Sequence, residues 1–263
     1  MDWASMVRDP GTGLGAKCLD TSRILAYPDL DSAVYSAKLD ALAEEARRET
    51  GDKGDRYALA VACEMLARVG YSGNKDDYYD PRNSHLHEVI DRRTGTPISL
   101  CIVYAEVAGR LGLELKLAGF PGHVVAVLGE ETVIDPFNGG RLVGHDELQS
   151  ILDGLFGGRL VMNPSFLDPM TDEAVLLRVS RNLRNSYANS YDYGRASACA
   201  DMALSLEPDS PGDIRDKGII EEKLGNYSSS LEYLERYIQK SPRGRDVEVI
   251  TELARATREK LSR

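Results

Sequence analysis

Three residue types that together can carry out acyl transfer occur in order along the middle of the chain: Cys101, His123 and Asp135. A thiolate attacks a carbonyl carbon, an imidazole moves the proton, and a carboxylate holds the imidazole in its working tautomer. Cys101 lies in "RRTGTPISLCIVYAEVAGRLGL", residues 92–113. That stretch predicts a helix capped by Thr96 and opened by Pro97, whose missing N–H costs nothing at the first helical position. A cysteine becomes reactive at a helix N-terminus, because free N–H groups and the helix dipole stabilise a thiolate. Cys101 sits four residues beyond Pro97, about 6 Å further along the axis, where the N–H groups are already used. It shares a face with Pro97, Ala105, Ala108 and Gly112, a close-packing stripe. Periodicity therefore reads Cys101 as a buried, slowly alkylated core residue.

His123 opens a predicted strand, "HVVAV", and Asp135 closes the next, "TVID". If the turn between them is Gly129 to Glu131, residue 125 opposes 135, and His123 and Asp135 become diagonal neighbours on one face. A hydrogen bond of about 3 Å is then expected. The competing reading is a structural histidine beside a glycine turn. His85 and His87, in "NSHLHEV", flank Leu86 at a spacing that suits a metal on an extended segment. No fourth ligand at matching spacing is visible, so they are weak metal candidates, and no cofactor is expected.

The elements that must position these residues follow from pattern. Residues 30–70 read as two helices, the first entered at Asp31 and Ser32, the second carrying Leu59, Cys63, Leu66 and Val69 on one face and stopping at Gly70. Cys63 is read as core. After the Pro97 helix, "LELKLAGF", "HVVAVLG" and "TVIDPF" are short β-branched runs between glycine turns, which suggests antiparallel strands. Helices followed by a small sheet give an α+β class.

From about Asp172 the pattern is helical only and repeats. Tyr193 and Tyr227 lie 34 residues apart, as do Asp192 and Asn226, Leu204 and Ile238, and Pro208 and Pro242. That period, with an aromatic after a turn and a proline closing the second helix, is the tetratricopeptide signature. Two repeats and a capping helix are expected over 171–263, after an α+β domain over 1–170. Each tyrosine ring is expected to be buried, so that truncation costs on the order of 3 kcal/mol. In the first repeat helix, Leu176, Val179, Leu183 and Tyr187 form an apolar stripe. Arg178, Asn182, Asn185 and Asn189 form a polar one, a candidate surface for a protein or peptide partner.

The stretches "DYYDPRNSHLHEVIDRRTGTPISLCIVYAEVAGRLGL", "GFPGHVVAV" and "IDPFNGGRL", with "YPDLDSAVYSAKLDALAEEAR" and the repeats, resemble the bacterial SirB-type family. The resemblance covers nearly the whole chain. It implies a transglutaminase-like domain, of the papain-like superfamily, followed by tetratricopeptide repeats. Members of that superfamily place a catalytic cysteine at the start of the core helix, a histidine on one strand and an aspartate on the next. The last two map to His123 and Asp135. The cysteine position lies fifteen residues before the glycine of an "LG" step, and counting back from Gly112 lands on Pro97. Superfamily members reading "CLSLS…Y" line up with "PISLC…Y" here. The resemblance thus implies a member that has lost its nucleophile and kept its two helpers.

A formal charge of −10 disfavours nucleic acid, whose phosphates need a positive surface. No apolar run approaches the roughly 20 residues that span a bilayer. The start lacks a secretory layout, and four cysteines without a CxxC pair suggest neither zinc nor disulfides, so a reducing cytoplasm is expected. The leading expectation is a pseudoenzyme that binds a partner through its repeats and a small molecule in its retained pocket. One alternative is a cysteine hydrolase or acyl transferase using Cys101 with His123 and Asp135. The other is an acid–base enzyme using His123 and Asp135 with His85 and His87. Substrate, partner and oligomeric state are not encoded in any motif.

Overall fold

The computed structural model describes residues 2–50, 54–129 and 132–262. The chain runs through α1 (Trp3–Arg8), α2 (Leu14–Leu25), α3 (Ser32–Thr50), α4 (Asp55–Arg68), β1 (Ser72–Gly73), α5 (Leu86–Arg92), β2 (Thr94–Gly95) and α6 (Pro97–Arg110). It continues through β3 (Leu115–Ala118), β4 (Val125–Leu128), β5 (Thr132–Asp135), β6 (Arg141–Val143) and α7 (His145–Phe156). Five further helices complete it: α8 (Asp172–Asn189), α9 (Tyr193–Leu206), α10 (Pro211–Lys223), α11 (Tyr227–Lys240) and α12 (Val247–Leu261). Two compact units result: Val7–Tyr78 with Arg82–Val179, and Met1–Met6 with Tyr79–Pro81 and Ser180–Arg263.

In the first unit, α6 is the central element and touches α2, α3, α4, α5 and β3. Its residues 97–104 are all buried, which matches an apolar run too continuous for a surface helix. The Thr96 N–H donates to Ser99 Oγ at 2.9 Å and Pro97 takes the first turn, so the helix begins where the sequence predicts. Strands β3 to β6 form an antiparallel meander. The β4–β5 register, Ala126 with Ile134 and Leu128 with Thr132, brings Val125 level with Asp135 as expected. Of the expected turn residues Gly129 to Glu131, 130 and 131 lie outside the described residues. One sheet face packs Val125, Val127, Val133 and Val143 against Leu148 and Leu152 of α7.

Several features depart from expectation. Helices α1 and α2 carry no long apolar stripe in sequence; α2 buries Gly15, Lys17, Cys18, Leu19, Thr21 and Ser22. His123 does not open a strand. It sits in a turn, with its N–H donating to Phe120 O at 2.9 Å, and β4 begins at Val125. A two-residue parallel pair, β1 with β2, occurs where only antiparallel pairing was anticipated. It forms because α5 provides the crossover that parallel strands require.

The second unit shows the 34-residue period at its buried positions. Ala196, Ala200 and Ala203 of α9 and their counterparts Ser230, Leu234 and Tyr237 of α11 are all buried. Ile214, Leu231, Leu234, Tyr237, Ile250 and Ala254 form one apolar cluster, so α12 covers the last repeat. Tyr193 and Tyr227 do occupy equivalent places, as the first residues of α9 and α11. Their rings are only half-buried, which corrects the expectation of buried rings. At the mouth of a helix an aromatic covers the turn; the interior lies one turn further on, at Ala196 and Ser230. Leu176, Val179, Leu183 and Tyr187 are all buried, as their spacing predicts.

Candidate functional site

Strand β5 ends in Asp135, whose backbone turns into a short 3-10 segment, Pro136–Asn138. The turn is built around the aspartate. Asp135 Oδ1 accepts the N–H groups of Phe137 (3.1 Å) and Asn138 (3.3 Å), and Oδ2 accepts Asn138 Nδ2 at 2.7 Å. Gly140, at φ +66°, follows and returns its N–H to Asp135 O at 2.9 Å. A Cβ there would stand 2.7 Å from the Tyr104 ring, so both conformation and space demand glycine.

His123 Nε2 lies 3.0 Å from Asp135 Oδ1. Asp135 is fully buried and His123 nearly so. Burial alone would raise the Asp135 pKa, but the hydrogen bond and charge of His123, with the bonds from Asn138, outweigh it and hold the carboxyl below its ordinary 3.8. An ionised carboxylate only accepts, so Nε2–H is the donor in this pair. Among the described residues nothing is hydrogen-bonded to Nδ1.

The imidazole is held from behind as well. Arg178 Nη2 donates to His123 O at 2.9 Å. Arg178 thus has a partner in its own unit in addition to its place on the helical stripe with Asn182, Asn185 and Asn189. Arg178 fixes the histidine backbone from a position 55 residues away, and no local sequence signal announces such a contact. Asn182 is half-buried, while Asn185 and Asn189 are exposed.

His123 opens onto a cavity of about 570 Å³ whose walls include Lys75, Tyr78, Pro97, Phe137 and Leu155. Pro97 and His123 thus line the same space. Phe137 packs edge-on to the imidazole, with centroids 5.9 Å apart, and lies close over Gly73, where a Cβ would come within 2.4 Å of the ring. Lys75 Nζ donates to Asn138 Oδ1 at 3.0 Å and brings positive charge to the rim.

Cys101 is elsewhere. It is fully buried, with Sγ 3.6 Å from Val124 O, and it does not line the cavity. Burial, reinforced by the Asp135 carboxylate, pushes its pKa well above the ordinary thiol value. Iodoacetamide is therefore expected to leave Cys101 unlabelled in the native chain and to label it only on unfolding. Peptide mapping after native labelling checks this, and rapid modification at 101 would show an accessible thiolate. His85 and His87 are not brought to this cavity either. His85 Nδ1 is 3.0 Å from Ser22 Oγ, and His87 lines a separate cleft. Among the described residues no cluster of His, Cys, Asp or Glu has the makings of a metal site.

The Asp135 hub makes a stability prediction. Asp135→Ala strands the donors of His123, Phe137 and Asn138 and is expected to cost about 2–3 kcal/mol at neutral pH. Because the folded pKa is depressed, that stabilisation is present above about pH 4 and is lost as pH falls through the folded value. Urea titrations at pH 7 and pH 3 should show the gap between wild type and variant closing at the lower pH; a constant gap would contradict the carboxylate hub.

A core helix feeding an antiparallel sheet, with a histidine–aspartate pair at the helix start, defines a class that comparison with known proteins identifies. Residues 33–181 match the transglutaminase-like superfamily and residues 183–255 match the tetratricopeptide repeat. The chain belongs to the transglutaminase-like superfamily, with tetratricopeptide repeats at its C-terminal side. It is 38% identical over 233 residues to a UPF0162 protein of Xylella fastidiosa, covering 85% of this chain and 83% of that one. A UPF0162 protein of Vibrio cholerae is 30% identical over 177 residues, 66% of this chain and 65% of its own length. A stretch of 64 residues, 24% of this chain, is 45% identical to a tenth (10%) of the mouse F-box only protein 21. No helix among the described residues is long and apolar enough to cross a membrane.

Proposed function

We propose that this protein is a degenerate, SirB-type transglutaminase-like protein that binds rather than transforms its ligand. In this reading residues 1–170 form the ligand-holding domain, residues 171–263 contact a protein or peptide partner, and the protein works in the cytoplasm. One observation carries the proposal: Pro97 and His123 line the same cavity, while Cys101 is sealed in the core behind it. Without a sulfur at the helix mouth, His123 and Asp135 have no thiol to activate, and the retained pair serves as a polar anchor for a bound group. Tetratricopeptide repeats commonly mediate protein interactions, which supports the partner role of the second region.

A second reading keeps His123 as a general base acting through Nδ1, since no hydrogen bond occupies that nitrogen among the described residues. His85 and His87 have no part in it. Hydroxylamine trapping on a glutamine-donor peptide, run with wild type and His123→Ala, separates the readings of the site. Binding alone predicts no hydroxamate above the blank from either protein. Turnover that depends on His123 would overturn the binding reading.

A further inference from the structure

A second cleft, apart from the His123 cavity, lies where the loop after α2 meets α3 and α5. Its volume is about 470 Å³, within the range of small-molecule sites, and its walls include Tyr27, Asp29, Tyr35, His87, Glu88 and Asp91. His87 is the unusual member. It is 5% exposed, yet neither ring nitrogen has a hydrogen-bond partner among the described residues. A buried imidazole with both nitrogens unsatisfied forfeits a free energy that a ligand can restore. Burial also lowers its pKa, so the ring is neutral at pH 7 and offers one acceptor and one donor.

The groups around it fix the sign of the ligand. Tyr27 stands edge-on to His87 at 4.1 Å between centroids, and Tyr35 does so at 5.5 Å. Tyr27 Oη donates to Glu88 Oε1 at 3.1 Å and Tyr35 Oη to Asp91 Oδ2 at 3.0 Å, so each ring is tied to a carboxylate. Asp29, Glu88 and Asp91 make the cleft walls acidic, and Lys38 pairs with Asp91 and places Nζ 4.5 Å from the Tyr35 ring centroid. The chain's own ammonium thus already sits against two of the cleft's wall residues, aromatic Tyr35 and acidic Asp91, and Glu88, Tyr27 and His87 form a second corner of the same chemistry.

We propose that this cleft is a binding site for a small organic cation carrying a primary ammonium group. The ammonium donates one N–H to an imidazole nitrogen of His87 and another to Glu88, over the Tyr27 ring. The His87 nitrogens are buried, so the ligand reaches them by displacing a half-buried tyrosine ring, a cost offset by satisfying the imidazole. A free amine and a lysine side chain share this chemistry, and the probes distinguish them.

The test is a titration of the full chain, with histidine rings labelled for NMR and the His87 resonances assigned by their loss in His87→Phe. Cadaverine stands for a free amine and Nα-acetyl-lysine methylamide for a lysine side chain. Saturable shifts of the His87 ring nitrogens with either probe are expected, the tighter one naming the source. Tetramethylammonium, which has no N–H, should bind roughly tenfold more weakly. Lys38→Ala should tighten binding about threefold or more by removing a competing cation, and Glu88→Gln should weaken it on the order of tenfold. Absence of any His87 shift up to about 10 mM probe, or weaker binding in Lys38→Ala, would overturn the assignment.

Discussion

Pro97→Cys is expected to create a thiol that iodoacetamide alkylates on the order of 100-fold faster than a free cysteine in the unfolded chain at pH 6. The reason is positional. Residue 97 is the first residue of α6, where backbone N–H groups have no helical acceptor and the dipole favours an anion. It shares a cavity with His123, whose Nδ1 has no hydrogen-bond partner among the described residues and whose other nitrogen is fixed by Asp135. A thiol so placed passes its proton to the imidazole, and helix-start or histidine-paired thiols have pKa values of about 3.5–7.5. The exchange is cheap in stability, because proline donates no hydrogen bond at this position and none is lost. Two controls isolate the cause. Combining Pro97→Cys with His123→Ala should slow alkylation at least about tenfold, and the fast rate should fall as pH drops through the new thiol's pKa. If position 97 labels no faster than an ordinary exposed cysteine, the His123–Asp135 pair does not face the helix start in a catalytic sense, and the reading of Pro97 as a lost nucleophile fails.

The comparison between positions 97 and 101 also shows how much of the site is legible in the chain alone. Cap, proline and helical period fix where α6 starts, so a displacement of four residues decides which side chain lines the cavity at the helix mouth. The level of Val125 with Asp135 follows from counting residues, because strand register is a local property, but His123 reaches Asp135 from the turn before β4 and not from strand alternation. Other parts follow from no local rule. Arg178 reaches the His123 carbonyl across 55 residues of chain, and its helical position predicts only a polar face. Helix α2 hides for the opposite reason. Apart from Lys17 and Leu19 it packs through small residues, and Gly15 lies so close to Glu106 that a Cβ would stand 2.5 Å from its carboxyl carbon; a long hydrophobic stripe is not what holds it. The tyrosines of the repeats are legible in register but not in depth. A 34-residue period gives equivalence between positions, while burial depends on which turn of α9 and α11 faces the neighbouring helix. His87 reads in sequence as a weak metal ligand or an acid–base helper; that its nitrogens lack partners among the described residues is a fact of packing.

Asp213→Ala is expected to be the most destabilising single change in the repeat unit, at about 3–5 kcal/mol. Asp213 is 2% exposed and lies between two arginines of α8, with Oδ1 accepting Arg181 Nε at 3.1 Å and Arg184 also bound to that oxygen. Arg184 is itself 6% exposed as a residue and has one further acidic partner, Asp216, at 2.7 Å. Burial pushes the Asp213 carboxyl upward, but the hydrogen bonds and charge of Arg181, with Ser210 and Arg184, prevail and hold its pKa below the ordinary carboxylate value. The stabilisation is therefore complete at neutral pH and is lost as acidity protonates the carboxylate below about pH 4. Removing Asp213 leaves Arg184 buried with an excess positive charge, and that stranded charge accounts for most of the cost; the intact cluster itself can be worth little over apolar packing. A second substitution tests this division. Adding Arg184→Leu to Asp213→Ala should recover at least about 1 kcal/mol, because the stranded charge leaves with it. Urea unfolding followed by circular dichroism measures all three proteins. Strictly additive losses would mean that the arginine is solvated in the single variant and that the cluster is a surface network, not a buried one.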